Sequence, residues 1–398
     1  MRDYDAILFG ATGFTGQLTA RYLATQEQPL RWAIAGRDIG KLNALRAELA
    51  EQGRYLPDVL LADSKAPDSL ALLARQTRVI ISTVGPYLLH GEPLVAACVA
   101  EGTDYVDLTG EPEFVNRMRS RYNEPARAGG TRIVHCCGFD SIPHDLGVYY
   151  TLRLLQDRLG GEALGTAVVD VTGIVKAHGD FSGGTWQSAI NAMSRAGAHV
   201  REQREQDRLG KGGGRRVRAG SMRPRRDGSD WTAPLPTIDP QIVLASARAL
   251  PFYGREFSYS HRVAVGSLSR LALGAAGVAG IVAGAQFGPT RRMLEKVRRA
   301  GDGPSPEARA SHWFRVRFSA TVKLPQTGEK TLQTEVSGGD PGYDETAKML
   351  AESALSLAFG GAQLPQAAGV LTPALAMGDV LLRRLQRAGL CFRELSEA

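Results

Sequence analysis

The chain has 398 residues, 43% of them apolar, with 48 basic against 41 acidic side chains and a net charge of +7. That length suits two or three domains with a large core. So modest a basic excess, gathered in two places, excludes a nucleic-acid-binding protein, and four cysteines, with Cys136 and Cys137 adjacent, form neither a disulfide framework nor a metal-type spacing, so no metal is expected.

Tyr4 to Phe9 reads as a buried parallel strand that starts too early for a signal peptide to precede it, which predicts a cytoplasmic protein. The run Gly10-Ala11-Thr12-Gly13-Phe14-Thr15-Gly16 follows, and then a helix over Gln17 to Leu23. A glycine turn between strand and helix holds a dinucleotide's pyrophosphate on the first N–H groups of the helix. Gly10 turns the chain, Gly13 lets the backbone approach the phosphates, and Gly16 lets the helix close on the sheet. Gly10, Thr12, Gly13, Phe14, Thr15 and Gly16 are therefore predicted to bind a cofactor. Leu30 to Ala35 is the second strand, ending in Gly36-Arg37. The residue closing this strand meets the adenosine ribose, and a guanidinium there suits a 2′-phosphate, so the cofactor is predicted to be NADP(H).

A helix over Asp38 to Gln52 leads to a third strand, Leu56 to Ala62. Asp63, just after it, is placed either to meet the adenine or to cap the helix from Pro67. Arg78 to Val84 is a fourth strand, running into Gly85-Pro86-Tyr87. Val84, Gly85 and Pro86 complete the predicted cofactor set. A helix over Leu94 to Glu101, a fifth strand at Tyr105 to Leu108 and a sixth at Thr131 to Cys136 follow. Alternation of this kind predicts a doubly wound parallel α/β sheet of the Rossmann type over residues 1–150. Ligands sit beyond the carboxyl ends of such strands. Val84–Tyr87, Thr109–Glu111 and Gly138–Asp145 should then meet at one crevice.

After residue 150 the alternation stops. Ala167 to Val175 reads as a strand and Thr185 to Val200 as a helix. Residues 207–230 are rich in Arg and Gly, which suits a solvated loop, or a dock for an acidic carrier protein or for the phosphates of an acyl thioester. Leu271 to Thr290 has no charged residue and is followed by Arg291-Arg292. It suits a core helix packed through small residues, or, over 271–299, a peripheral contact with membrane or lipid; it is long enough to span a bilayer, but a strand-rich segment of the same domain follows and argues against a span. Trp313 to Leu324 and Lys330 to Ser337 read as antiparallel strands around Pro325-Gln326-Thr327-Gly328. A second α+β domain with an antiparallel sheet is predicted over 151–340, for substrate and for a homodimer contact. The helices over Tyr343 to Phe359 and Ala374 to Ala388 form a third region, 341–398, returning to cover the first sheet.

These motifs together resemble the saccharopine dehydrogenase-like oxidoreductases, and within them the trans-acting enoyl reductases. The residues that carry the resemblance are Gly10 to Gly16, Ala35-Gly36-Arg37, Val84 to Tyr87, Gly102 to Glu111, Gly138 to Pro143 and Ser182 to Thr185, with weaker matches at Gly338 to Tyr343 and Gly369 to Ala374. The resemblance implies an NADP-binding Rossmann domain and reduction of a carbon–carbon double bond in a lipid- or polyketide-like acyl chain, free or carrier-bound. A trans-acting reductase needs a dock for its carrier. Two alternatives stand beside it: a saccharopine-type dehydrogenase acting on a C–N bond, and a catalytically silent NADP-binding protein at a lipid surface.

A nicotinamide reductase needs a donor for a developing enolate and a proton source. Tyr87 is a candidate donor; Asp140, Ser141 and His144 form a polar cluster after the sixth strand, with His144 suited to give a proton near neutral pH. Each also has a plain structural reading, as a packed aromatic or a helix cap. Glu111 either faces the crevice or caps the helix after Pro112. No tyrosine among Tyr22, Tyr87, Tyr105, Tyr149 and Tyr343 has a lysine four residues on, which argues against a Tyr-Lys alcohol dehydrogenase.

Overall fold

In the computed structural model the described residues are 2–52, 55–179, 215–228, 230–267, 303–324 and 328–396, with isolated positions 277, 280 and 290. The chain divides into two units. Unit 1 comprises residues 1–142, 303–311 and 339–389; unit 2 comprises 143–302, 312–338 and 390–398. The expected helix at Thr185 to Val200, the motif Ser182 to Thr185, the turn residues 325–327 and most of 271–299 lie outside the described residues.

Unit 1 is built on strands β1 (Tyr4–Phe9), β2 (Trp32–Gly36), β3 (Asp58–Leu61), β4 (Thr77–Ser82), β5 (Asp104–Asp107), β6 (Arg132–Val134) and β14 (Gly369–Leu371). They form one parallel sheet in the order β14-β6-β5-β4-β1-β2-β3. β1 lies between β2 and β4, so the connections change direction there, and the carboxyl ends of β1 and β4 are where a sheet of this kind takes its ligand. The helices between the strands are α1 (Phe14–Ala24), α2 (Ile39–Gln52), α3 (Pro67–Gln76), α4 (Tyr87–His90), α5 (Glu92–Glu101) and α6 (Pro112–Ala128). Strands buried on both faces read as continuous apolar runs, which is why β1, β2 and β4 were legible. β14 was not predicted, because three residues carry too little pattern.

From the C-terminal part, α11 (Asp344–Phe359) packs on α1, β1, β4 and β5, and α12 (Pro373–Arg387) packs on α11. Nearly every residue of α11 is buried. The Tyr22 hydroxyl donates to Glu352 Oε1 at 2.6 Å, and Arg384 Nε donates to Glu352 Oε2 at 2.6 Å, so one buried carboxylate ties α1, α11 and α12 together. Burial beside that carboxylate pushes the Tyr22 phenol well up.

Unit 2 holds an eight-stranded sheet of β7 (Val168–His178), β8 (Arg216–Ala219), β9 (Arg225–Asp227), β10 (Asp230–Pro234), β11 (Glu256–Gly266), β12 (Trp313–Leu324), β13 (Gly328–Gly338) and β15 (Cys391–Glu394). The hairpin pair β12 and β13 is antiparallel, as expected. The sheet as a whole is mixed rather than antiparallel, because β7 and β8 both pair parallel with β11. Parallel neighbours need a crossover, and the long connection between β7 and β11 supplies it. In β12, Phe314, Val316, Phe318, Ala320 and Val322 alternate onto the buried face. Helix α7 (Ile142–Leu159) covers that face: a Cβ at Gly147 would stand 2.3 Å from the Phe318 ring. Thr151 and Thr334 hydroxyls bond at 2.6 Å beneath it. Unit 2 also contains α8 (Gly161–Thr166) and α9 (Asp239–Ala249), and α10 (Pro306–Ala310) belongs to unit 1.

Of residues 207–230, expected as a solvated loop or a dock, 216–219, 225–227 and 230 lie in the strands β8, β9 and β10, while 207–214 and 229 are outside the described residues. A dense run of arginines hides the alternation in sequence. The fully buried Arg262 holds this edge: its guanidinium donates to Thr232 Oγ1 and to the carbonyls of Ser221, Arg223 and Thr232.

Candidate functional site

The turn after β1 has no room for a side chain at Gly10 or at Gly16. Gly10 has φ +89, and a Cβ there would stand 2.7 Å from Val84 Cγ2 and 2.8 Å from Thr83 Oγ1. A Cβ on Gly16 would stand 2.3 Å from the Gly10 carbonyl oxygen. The turn closes through Gly13 N–H donating to Gly10 O at 3.0 Å. Thr83, which the sequence reading missed, latches β4 onto the turn: its hydroxyl donates to Gly10 O at 3.0 Å. Helix α1 starts at Phe14, with Gly13 as an N-cap that supplies no side chain and no acidic residue in the first turn. Its opening N–H groups therefore remain for an anion. The bare cradle fits a dinucleotide pyrophosphate.

The other predicted cofactor residues fall around this turn in different ways. The Phe14 ring is engaged by Tyr343, edge-on at 4.8 Å, and by the Arg309 guanidinium at 5.6 Å, so Phe14 can offer the site only its backbone. A Cβ at Gly303 would stand 2.2 Å from that ring, so residues 303–311 lie over it. Thr12 and Thr15 carbonyls accept from Gln17 Nε2 and Thr19 Oγ1. Arg37 directly follows β2, is exposed, and has no ion-pair or hydrogen-bond partner among the described residues. Asp63 follows β3 and turns its Oδ1 to the Lys65 N–H at 2.9 Å, an Asx turn rather than the cap of α3. Val84, Gly85 and Pro86 lead from β4 into α4.

The candidates for chemistry separate sharply. Tyr87 is buried in the core of unit 1, tilted against Phe114, and its hydroxyl donates to the Ser82 carbonyl at 2.9 Å. That commitment corrects the expectation of a crevice donor: Tyr87 is a packing residue. Glu111 stands at the N-cap position of α6, but its side chain makes no capping hydrogen bond there. Its carboxylate accepts from the N–H groups of Tyr87 at 3.0 Å and Leu88 at 2.9 Å, pinning the start of α4. The segment after β6 stays with unit 1 up to Ile142. Asp140 lies beside Gly110, where a Cβ would stand 3.2 Å from Asp140 Oδ2. Ser141 is fully buried, and its hydroxyl has no hydrogen-bond partner among the described residues, so it is not a helix cap.

His144 belongs to unit 2. Burial holds its imidazole down at about 3, so at neutral pH the ring is uncharged and is no imidazolium acid, which corrects its expected role. Its neighbours are Asp239, with Oδ1 3.7 Å from His144 Nε2, and the His261 ring, edge-on at 4.6 Å. His261 is likewise held down at about 3, by burial and by His144, against the pull of Asp239.

The sequence reading also missed Asp107 and His135, at the carboxyl ends of β5 and β6. His135 Nδ1 and Asp107 Oδ2 lie 2.7 Å apart, both buried, while Asp107 Oδ1 accepts from the N–H groups of Thr109 and Cys136. This pair fixes the loops that follow both strands. A recess of about 550 Å³ lined by Tyr4, Leu30, Arg31 and Asp58 among others lies at the amino ends of β1 and β2. Parallel α/β sheets bind ligands at the other end, so it has no part in the site.

Comparison with known proteins agrees with this geometry. Residues 6–134 match the model of the saccharopine dehydrogenase NADP binding domain. A putative trans-acting enoyl reductase of Mycobacterium tuberculosis is 39% identical over 98% of this chain and 96% of its own length. A trans-acting enoyl reductase of Mycobacterium leprae is 35% identical over 98% of this chain and 97% of its own. Among solved structures, apo saccharopine dehydrogenase (L-Glu forming) from Saccharomyces cerevisiae superposes with a TM-score of 0.56. It is 12% identical, with 98% of this chain and 99% of that one covered, and so shares the fold alone. Among the described residues no helix is long and apolar enough to cross a membrane.

Proposed function

The chain belongs to the trans-acting enoyl reductase family, and from this we propose that it is an NADPH-dependent reductase of a carbon–carbon double bond in an acyl chain. The observation that carries the reading is the side-chain-free cradle at Gly10 and Gly16, where a strand meets an uncapped helix start. NADPH, when bound, supplies the hydride, and the enolate that forms then needs a charge-stabilising donor and a proton. The first turn of α1 would hold the pyrophosphate, and Arg37, with no protein partner among the described residues, would take the 2′-phosphate. Of the four residues first considered for chemistry, Ser141 and Asp140 remain. The Ser141 hydroxyl is a buried donor that no described group uses.

For the partner, we propose an acidic acyl-carrier domain meeting the arginine-rich edge of unit 2. Arg216 and Arg218, two apart on β8, share one face and are exposed, and Arg223, just before β9, and Arg226, within it, are exposed too. Arg215 is not part of this surface. Its guanidinium donates to the carbonyls of Ala247, Leu250 and Pro251 and closes the end of α9. The test is NADPH oxidation with an α,β-unsaturated acyl thioester, presented on carrier and as a free thioester. Turnover is expected on both, with Arg216→Ala/Arg218→Ala lowering activity on the carrier-bound form alone. Stoichiometric NADPH binding without oxidation of any enoyl thioester would overturn the reading, and equal losses on both substrates would overturn the dock.

A further inference from the structure

We propose that His144, Asp239 and His261 form a binding site for a divalent transition cation of the zinc type, inside unit 2. The three come from separate elements: the first turn of α7, the first residue of α9 and the middle of β11. Their exposures are 1%, 1% and 6%. One ligand atom from each lies within 4.8 Å of the other two. His144 Nε2 is 3.7 Å from Asp239 Oδ1, and His261 Nε2 is 3.4 Å from Asp239 Oδ2.

Those separations discriminate between two chemistries. Bonds of about 2.0–2.2 Å to a tetrahedral cation set neighbouring ligand atoms about 3.4 Å apart. A charge-assisted hydrogen bond would draw nitrogen and oxygen to about 2.7–2.9 Å. The separations of 3.4 and 3.7 Å, to the two oxygens of one carboxylate, lie nearer to the first. A second observation agrees: Asp239 Oδ1 and His261 Nε2 are buried with no hydrogen-bond partner among the described residues. Buried polar atoms are costly to leave unsatisfied, and a cation between these two would engage both.

The surroundings are those of a ligand set. Thr237 Oγ1 donates to Asp239 Oδ2, which orients the carboxylate. The Tyr259 hydroxyl lies 3.2 Å from His261 Nδ1. With Nδ1–H donating to that oxygen, the Nε2 lone pair faces Asp239, the tautomer that coordination requires. Two imidazoles and one carboxylate, with no thiolate, suit zinc(II) and its first-row neighbours rather than calcium or magnesium, which favour oxygen. Among the described residues no fourth ligand joins the three. Such a set leaves a coordination position for a water or a ligand oxygen. None of this depends on the cofactor or on the acyl substrate.

The experiment is titration of the metal-stripped full chain with cobalt(II), read by visible absorption and by elemental analysis after dialysis. The expected result is one cobalt per chain, a tetrahedral-type spectrum without a thiolate charge-transfer band, and displacement by zinc. Asp239→Asn and His261→Gln should each abolish binding, and Tyr259→Phe should weaken it about 10- to 100-fold. Circular dichroism reports whether each variant folds, and if one does not, the wild-type stoichiometry and spectrum decide. No bound cobalt in the wild type overturns the proposal. So does unaltered binding in folded Asp239→Asn and His261→Gln.

Discussion

The two units gather their functional groups by opposite routes. In unit 1 the cradle is made from seven consecutive residues, Gly10 to Gly16, and what matters there is the backbone and the absence of atoms. In unit 2 the cluster is made from single side chains on α7, α9 and β11, and what matters is the identity of three groups. A site of the first kind tolerates no added carbon and is written in local spacing. A site of the second kind can keep its packing through an isosteric exchange yet lose its ligand, and it leaves no local trace. The difference shows which substitutions should be ruinous and which merely selective.

The largest effect is expected at Gly16. Gly16→Val puts side-chain atoms where a Cβ already stands 2.3 Å from the Gly10 carbonyl, so the backbone must move. A loss of about 3 kcal/mol of stability and of measurable NADPH binding is expected, by chemical denaturation and by fluorescence titration. A variant of native stability would break the contrast, since the cradle would then yield to a side chain after all. A smaller effect is expected at Arg37, where Arg37→Asp removes a charge-assisted contact without touching the turn. The ratio of kcat/KM for NADPH over NADH should fall about 10- to 100-fold with stability unchanged. An unchanged ratio would remove Arg37 from the site.

The smallest effect is expected in the sheet of unit 2, at Glu335. Its buried carboxylate faces Arg315, Arg317 and Arg393. Burial pushes the carboxyl up, but the hydrogen bonds and charges of these guanidiniums win and hold it below the usual carboxylate value. A carboxyl lowered in the folded state binds fewer protons there than in the unfolded chain. Its stabilisation is therefore complete above about pH 4.5 and is lost as pH falls through the folded value. The thermal midpoint should drop on acidification from about pH 5 to about pH 3, and less steeply in Glu335→Gln, itself about 1–2 kcal/mol less stable at neutral pH. Parallel pH profiles would show that the three arginines do not discriminate between charged and neutral partners.

Legibility in the sequence follows the same division. β1, β2 and β4 were readable because each is a continuous apolar run beside a turn signal. The glycine turn and Arg37 were readable because the chemistry is set by adjacent residues. Tyr87 was misjudged because a tyrosine after a strand end can point up into a crevice or down into the core, and only the Ser82 carbonyl settles which. His144 was misjudged because a histidine's proton depends on burial, which is a tertiary property. Asp107 with His135, and His144 with Asp239 and His261, pair across the fold and have no spacing to betray them. β8 and β9 were hidden because arginines on an exposed edge look like a solvated loop.

Unit 1 is written in three separate pieces of chain, 1–142, 303–311 and 339–389. During synthesis the first piece leaves the ribosome with β6 as an open sheet edge, because β14 has not yet been made. The sheet face that α11 will cover stays bare for as long. Unpaired edges and bare apolar faces recruit other chains, so the nascent protein is most exposed to aggregation between residue 142 and the arrival of residue 371. A fragment ending at 142 would be frozen at that stage, so the nucleotide-binding half cannot be excised by cutting the chain once.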